Sequence, residues 1–314
     1  MRVLALSDIH GNVGIVSRLR AREANVYDLL IVAGDIGGGR ACEICDILDT
    51  FGCPVVYVFG NHDYDLAYDF DLGANGHHLH GSPLVVDKVC LVGFSGCPTN
   101  WGRNPIRANL CAEFDHEEQT THAQVLADLK ALDEMKPIDR QRAKEKLMKT
   151  SAFRAYDSAR KALGRNIVGG NRAELVSALS QATRPELFNI SVTHEKLTMA
   201  ELLTEADCLI HGHIHQFSST ISKGKRQLNV AALDKPLTVE PARGPVDLAN
   251  LSNIDTGNYV TFEVADRAIR NLTVKTFGWN MKGWVRLEGF RAGGAGVKTV
   301  GADPSRDSDE FYLA

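Results

Sequence analysis

Three runs within residues 1–59, VLAL, LLIVA and VVYVF, are apolar at every position and show no alternation of polar and apolar residues. A strand that is apolar on both faces has to be covered on both, so these runs predict inner strands of a parallel sheet with helices over it. The segments between them fit that requirement. NVGIVSRLRAREA and RACEICDILDTFG are amphipathic at helical spacing, which gives the βαβαβ rhythm of right-handed crossovers.

Further along, HHLHGSPLVVDKVCLVGFSG reads as shorter strands around turns. From 99 to 186 the chain is polar and helical, and Val125, Leu126, Leu129, Leu132 and Met135 recur at helical spacing. This region is expected to be a helical insertion, a cap or lid packed over the strand ends. ELFNISVTH and ADCLIHGH resume strand character. FSSTISKGKRQLNVAA, NYVTFEVAD and AIRNLTVKTF then alternate as antiparallel strands do. Residues 277–314 form a tail rich in Gly, Arg and Asp, expected to be partly irregular.

The chemistry sits where the apolar runs end. Asp8 and His10 follow the first, Asp35 the second, Asn61, His62 and Asp63 the third; His194 closes FNISVTH, and His213 and His215 close CLIHGHIH. The C-terminal ends of parallel strands are where open α/β sheets bind ligands, so these groups can meet at one place. Divalent ions of hard or borderline character take oxygen and imidazole donors. A carboxylate such as Asp35 has two oxygens and can bridge two ions. In an extended segment, the i, i+2 spacing of His213 and His215 would put both rings on one face. Gly34, Gly60 and Gly212 are expected to let the backbone bend sharply at the strand ends.

In order, DIH, GD, GNHD, TH and GHIH resemble the signature of the calcineurin-like metallophosphoesterase superfamily, over residues 1–98 and 187–276. The resemblance implies a four-layer αββα sandwich with a dinuclear metal centre between two sheets. By position it implies that Asp8, His10 and His215 hold one ion, that Asn61, His194 and His213 hold the other, and that Asp35 bridges. The expected cofactors are two divalent ions drawn from Mn, Fe, Zn or Co, with manganese favoured. The activity implied is hydrolysis of a phosphomonoester or phosphodiester by a hydroxide bridging the ions, attacking phosphorus in line. His62, oriented by Asp63 or by a backbone group, would be the general acid for the departing alkoxide. One departure from the pattern is local: Glu195, Lys196 and Leu197 follow His194 where the family commonly has a further histidine or prolines.

Two other functions compete with this reading. A nuclease of the same superfamily would draw on the basic residues between Lys136 and Arg172, with Tyr156 and Phe153 as stacking platforms for bases. A catalytically inactive interaction scaffold would be expected to have lost its ligands, and here all are present. The expected partner is a phosphoester such as a nucleotide, with nucleic acid as the alternative; the sequence sets no oligomeric state. A net charge of -4 over 314 residues argues against coating nucleic acid by bulk electrostatics. No apolar run approaches the roughly 20 residues that span a bilayer, so no membrane contact is expected. Seven cysteines without regular spacing suit free thiols in the cytoplasm. Cys42 and Cys45, with Ile44 and Leu48, read as the inner face of a helix. His77, His78, His80, His116 and His122 read as solvated side chains, and His211 as a hydrogen-bonding neighbour of a ligand.

Overall fold

The structure is a computed structural model that describes residues 1–23, 27–63, 66–67, 69–95, 106, 116–196, 206–215, 217–230, 232–234, 257–276, 291–292, 295–296 and 310–312. Its first half follows the expected rhythm: β1 (Arg2–Leu6), α1 (Val13–Arg22), β2 (Leu29–Ala33), α2 (Ala41–Asp49), β3 (Val55–Val58), β4 (Gly76–His78), β5 (Leu84–Val86) and β6 (Val89–Phe94). Then come α3 (Ala123–Asp133), α4 (Pro137–Met148), α5 (Ser151–Ala182), β7 (Phe188–Thr193), β8 (Cys208–His211), β9 (Phe217–Ser222), β10 (Lys225–Val230), β11 (Asn258–Ala265) and β12 (Ala268–Thr276). Within the tail, β13 (Arg291–Ala292) pairs with β14 (Ala295–Gly296), and β15 (Glu310–Tyr312) adds to β12.

Two mixed sheets result, in the orders β15-β12-β11-β1-β2-β3-β4 and β5-β6-β7-β8-β10-β9. β1 to β4 are parallel, as the unalternating runs require, and β11 closes antiparallel on the other side of β1. β10 is parallel to β8 and antiparallel only to β9, so it is an inner strand, and its last four residues are buried. The alternating pattern expected of an exposed strand belongs to β9, at the sheet edge.

The sheets face each other across a core of Val3, Ala5, Ile31, Val56 and Val58 against Leu91, Ile190, Val192, Ile210 and Leu228. The outer face of the first sheet, through Leu4, Leu6, Leu30 and Val32, packs on Val16 and Leu19 of α1 and Ile44 and Leu48 of α2. Asn12 starts α1 by accepting the Ile15 amide at 3.2 Å, the usual role of an asparagine cap. The outer face of the second sheet, through Val92, Phe94 and Leu209, is covered by Leu175 and Leu179 of α5. The layers are therefore αββα. The closing turns of α5 belong to the outer layer of the sandwich.

Two local readings change. In α2 the buried face is Ala41, Ile44, Cys45 and Leu48, while Cys42 is exposed, because it lies a helical step of about 100° away from that face. Burial pushes the Cys45 thiol up to about 12, which leaves it unreactive. Tyr156 is buried among the helices and receives a hydrogen bond from Arg160 Nη1 at 2.8 Å, so its ring is not open to stack on a base. Among the described residues, no helix is long and apolar enough to cross a membrane.

Candidate metal centre

Five strand ends open onto one edge of the sandwich, three from the first sheet (β1, β2, β3) and two from the second (β7, β8). The loops that leave them are laced together by main-chain bonds. Asp8 N–H donates to Gly34 O at 3.0 Å, the Ile9 and His10 amides both donate to Asp35 O, and Gly212 N–H donates to His194 O at 3.0 Å. This is the concave strand-end position where an α/β sheet offers a ligand its polar groups.

The loops are also strained. Asp8, His10, Asp35 and His213 have φ of 53°, 46°, 54° and 67°, in the left-handed region that costs a residue with a Cβ about 1–2 kcal/mol. Four of the other five described non-glycine residues with positive φ sit in hairpin turns or beside them, where strand twist favours that geometry, and the fifth, Asn271, lies in β12. At the strand ends no turn type asks for it. What the conformation does there is aim four donors inward.

Those donors form two groups. In one, Asp8 Oδ1 lies 3.2 Å from His215 Nε2 and 3.8 Å from His10 Nε2. In the other, Asn61 Oδ1 lies 3.0 Å from His194 Nε2 and 2.9 Å from His213 Nδ1. Asp35 stands between them: its Oδ2 is 3.8 Å from His10 Nε2 and 3.4 Å from His194 Nε2, while its Oδ1 accepts the His62 amide at 2.8 Å. His213 and His215 thus turn to different groups. The expectation of two rings on one extended face fails because His213 takes a left-handed turn immediately after β8.

Electrostatics hold the carboxylates ionised. Burial alone would raise Asp8, but the His215 hydrogen bond and the positive charge on His194 outweigh it, and its carboxyl stays below the usual range. Asp35 is likewise raised by burial and lowered further by His194 and by the His62 amide. Burial would lower His194, yet the facing Asp35 lifts it to about 10. His194 Nδ1 lies 2.8 Å from Ala33 O, and a carbonyl only accepts, so Nδ1 carries a hydrogen, and Nε2, which must give up its own proton to hold a cation, faces Asn61 and Asp35. His10 is lowered to about 4, mainly by burial.

These residues fit a divalent cation. The buried His10 Nε2 makes no hydrogen bond among the described residues, and the buried Asp8 Oδ1 is faced only by the ring nitrogens of His215 and His10, an arrangement that costs stability unless something else binds there. His213 N–H holds Asp8 Oδ2 at 3.0 Å, which leaves Oδ1 directed at the histidines. Three overlapping clusters, Asp8–His10–His215, His10–Asp35–His62 and Asp8–Asp35–His194, have donor atoms mutually close enough to share an ion.

Two details around the donors differ from expectation. Asp63 does not turn to the His62 ring: its oxygens accept Gly37 N–H at 2.9 Å and Gly60 N–H at 2.7 Å, so it ties the loop after β2 to the loop after β3. Burial and the neighbouring Asp35 raise it to about 6. The His62 ring is exposed, set edge-on to His10 with centroids 4.9 Å apart. Gly34 has the positive φ expected of a sharp bend, but Gly60 and Gly212 do not. Those two are glycine because of close approach: a Cβ on Gly60 would collide with Asp35 Oδ1, and one on Gly212 with Ser7 Oγ and Asp8 Oδ2. Gly60→Ala is accordingly expected to lower stability by ~1–3 kcal/mol, as overpacking does, and to weaken metal uptake. Thermal denaturation with and without Mn²⁺ checks this, and a parent-like melt would mean that the loop has room.

His78 is not the solvated side chain that its sequence setting predicts, and nothing in the sequence singles out Ser95. His78 is half-buried, stacked on Tyr57 with centroids 5.0 Å apart, and its Nε2 lies 2.7 Å from Ser95 Oγ. Tyr57 on β3 and Phe59 just beyond its end, apolar neighbours two residues apart, are the available signal that the adjacent strand would carry a packed imidazole. Glu195 is also buried, and its backbone carbonyl accepts the Thr193 hydroxyl at 2.8 Å.

A family model described as calcineurin-like phosphoesterase matches residues 1–217. The chain belongs to the calcineurin-like phosphoesterase family. The match takes in all the strand ends that carry the donors. Among solved structures, phosphopantetheinyl hydrolase from Mycobacterium tuberculosis is similar at 15% identity, over 73% of this chain and 88% of that one, with a TM-score of 0.42. An archaeal phosphodiesterase is similar at 10% identity, over 88% of this chain and 100% of that one, with a TM-score of 0.40. Vps29 from Entamoeba histolytica, complexed with zinc, is similar at 15% identity, over 88% and 91% of the two chains, with a TM-score of 0.36. No curated protein matches the chain.

Proposed function

We propose that this calcineurin-like phosphoesterase hydrolyses phosphoesters through two divalent ions, one held by Asp8, His10 and His215 and the other by Asn61, His194 and His213, with Asp35 shared. The observation that carries the reading is the position of Asp35 Oδ2, a single carboxylate oxygen faced by His10 at 3.8 Å and His194 at 3.4 Å. When bound, the ions would supply Lewis acidity, lowering the pKa of a water and neutralising phosphoryl oxygens.

The chain's own groups do the rest. Ala33 O keeps the hydrogen on His194 Nδ1, so that Nε2 is the nitrogen that loses its proton and serves as the donor atom. The His213 amide orients Asp8, and the His62 amide orients Asp35. Asp63 holds Gly37 and Gly60, which fixes the distance between the loops that carry Asp35 and Asn61. The His62 ring, at the exposed rim, is the group placed to protonate a leaving alkoxide. Manganese is our first choice among Mn, Fe, Zn and Co, all of which the O and N donor set accepts. The core is read as 1–98 and 187–276, with α3, α4 and the early turns of α5 as the cap. The five described cysteines are free thiols, which supports residence in the reducing cytoplasm.

The test is turnover of chromogenic phosphomonoesters and phosphodiesters after chelation and after Mn²⁺ addition. Activity is expected to vanish with chelator and return with the metal, at two ions per chain. Tight metal binding without turnover of any phosphoester would favour the interaction scaffold. Faster cleavage of a DNA strand than of a nucleotide would favour the nuclease.

A further inference from the structure

The ion set of Asn61, His194 and His213 draws its donors from opposite sheets: Asn61 follows β3 of the first, and the histidines follow β7 and β8 of the second. Its geometry therefore depends on how the sheets are held together at that edge. One polar tie crosses between them two residues before Asn61. Ser95, the residue after β6, is fully buried, and its Oγ accepts the Phe59 amide at 2.8 Å. The same Oγ lies 2.7 Å from Nε2 of His78, at the end of β4 in the first sheet.

His78 is itself held in place. Its ring stacks on Tyr57 at an interplanar angle of 10° and contacts the Phe59 ring with centroids 4.4 Å apart. On its other side it meets His80 at 5.9 Å, and His80 in turn packs on Phe94 at 4.7 Å. Burial, with His80 and His77 nearby, pushes His78 down to about 4, so at neutral pH it acts as a neutral aromatic with hydrogen-bonding nitrogens. Phe59 leads directly into Gly60, whose amide is held by Asp63, and then into Asn61. The loop that carries Asn61 is thus held at successive residues, Phe59 by Ser95 from the second sheet and Gly60 by the loop's own Asp63.

We infer that Ser95 and His78 are positioning residues, a cross-sheet clasp that sets where Asn61 stands relative to His194 and His213 and thereby the affinity of that ion set. The affinity part rests on the two-ion reading proposed above; the placement of Asn61 does not. The Ser95 hydroxyl that accepts the Phe59 amide still has its own hydrogen to place, and His78 Nε2 is there to take it, on a ring stacked on Tyr57 and packed against Phe59.

Three variants separate the contributions. Ser95→Ala removes the acceptor for the Phe59 amide. His78→Phe keeps an aromatic ring against Tyr57 and loses the nitrogen, and His78→Gln keeps a hydrogen-bonding end and loses the stack. In metal-free protein, the Asn61 side-chain amide resonances are expected to move in Ser95→Ala and His78→Phe and to return towards the parent position in His78→Gln. In calorimetric titration with Mn²⁺, the first two variants are expected to lose affinity for one ion by about 10–100-fold, the range for outer partners of metal ligands, and to keep the other. Parent-like Asn61 signals in both Ser95→Ala and His78→Phe would overturn the clasp, even if those variants melted at lower temperature. A parent protein that takes up only one Mn²⁺ would overturn the two-ion reading, while the metal-free spectra still decide the clasp. Should Ser95→Ala fail to fold, the His78 pair carries the comparison.

Discussion

Asp35→Asn is expected to cut phosphoester turnover by more than about 10²-fold, the upper range for losing an outer partner of a metal ligand, and to reduce metal content from two ions per chain to one or none. The physical reason is the number of oxygens. Asp35 uses Oδ1 for the His62 amide and presents Oδ2 to His10 and His194. An asparagine has a single carbonyl oxygen, so it can keep the amide or face the histidines but not both, and its NH₂ group cannot coordinate a cation. The backbone should survive, because asparagine tolerates the left-handed φ of 54° as readily as aspartate does. A parent-like melting curve with lost metal would therefore locate the defect in the centre rather than in folding. Elemental analysis that found two ions per chain in this variant would end the bridging assignment.

How much of this was legible in the sequence follows from the range of each signal. The inner strands and the convergence of Asp8, Asp35, Asn61, His194 and His213 could be read because unalternating apolar runs and strand-end polar groups are local patterns with one global solution, the parallel sheet. The partition of His213 from His215 could not be read from spacing, since it depends on a left-handed turn that no residue type at 213 announces. Asp63 stands next to His62 in sequence, and adjacency suggested a partner for the ring. The fold instead turns that carboxylate to the amides of Gly37 and Gly60, and the first of these lies on another strand's loop. β10 has the composition of a strand with one wet face, and only sheet order makes it an inner strand. The clasp at His78 and Ser95 is tertiary altogether, joining β4 to the end of β6.

His62→Ala should behave differently from Asp35→Asn: metal content is expected to stay at two ions per chain while turnover falls by about 10²–10⁴-fold. His62 belongs to one of the clusters able to share an ion, together with His10 and Asp35, so a ligand role has to be separated from an acid role. Its position argues for the acid. The ring is exposed at the rim, edge-on to His10, whereas His10, His194 and His213 are buried or half-buried. Leaving-group dependence distinguishes the two roles. A general acid matters most when the departing oxygen is strongly basic, so the variant should be slowed most with alkyl phosphoesters and least with aryl esters whose phenolate leaves unaided. A lost ligand would slow both alike and would show as a missing ion. An unchanged rate on an alkyl ester, with both ions bound, would remove His62 from the mechanism and leave its backbone amide, which orients Asp35, as its contribution to the site.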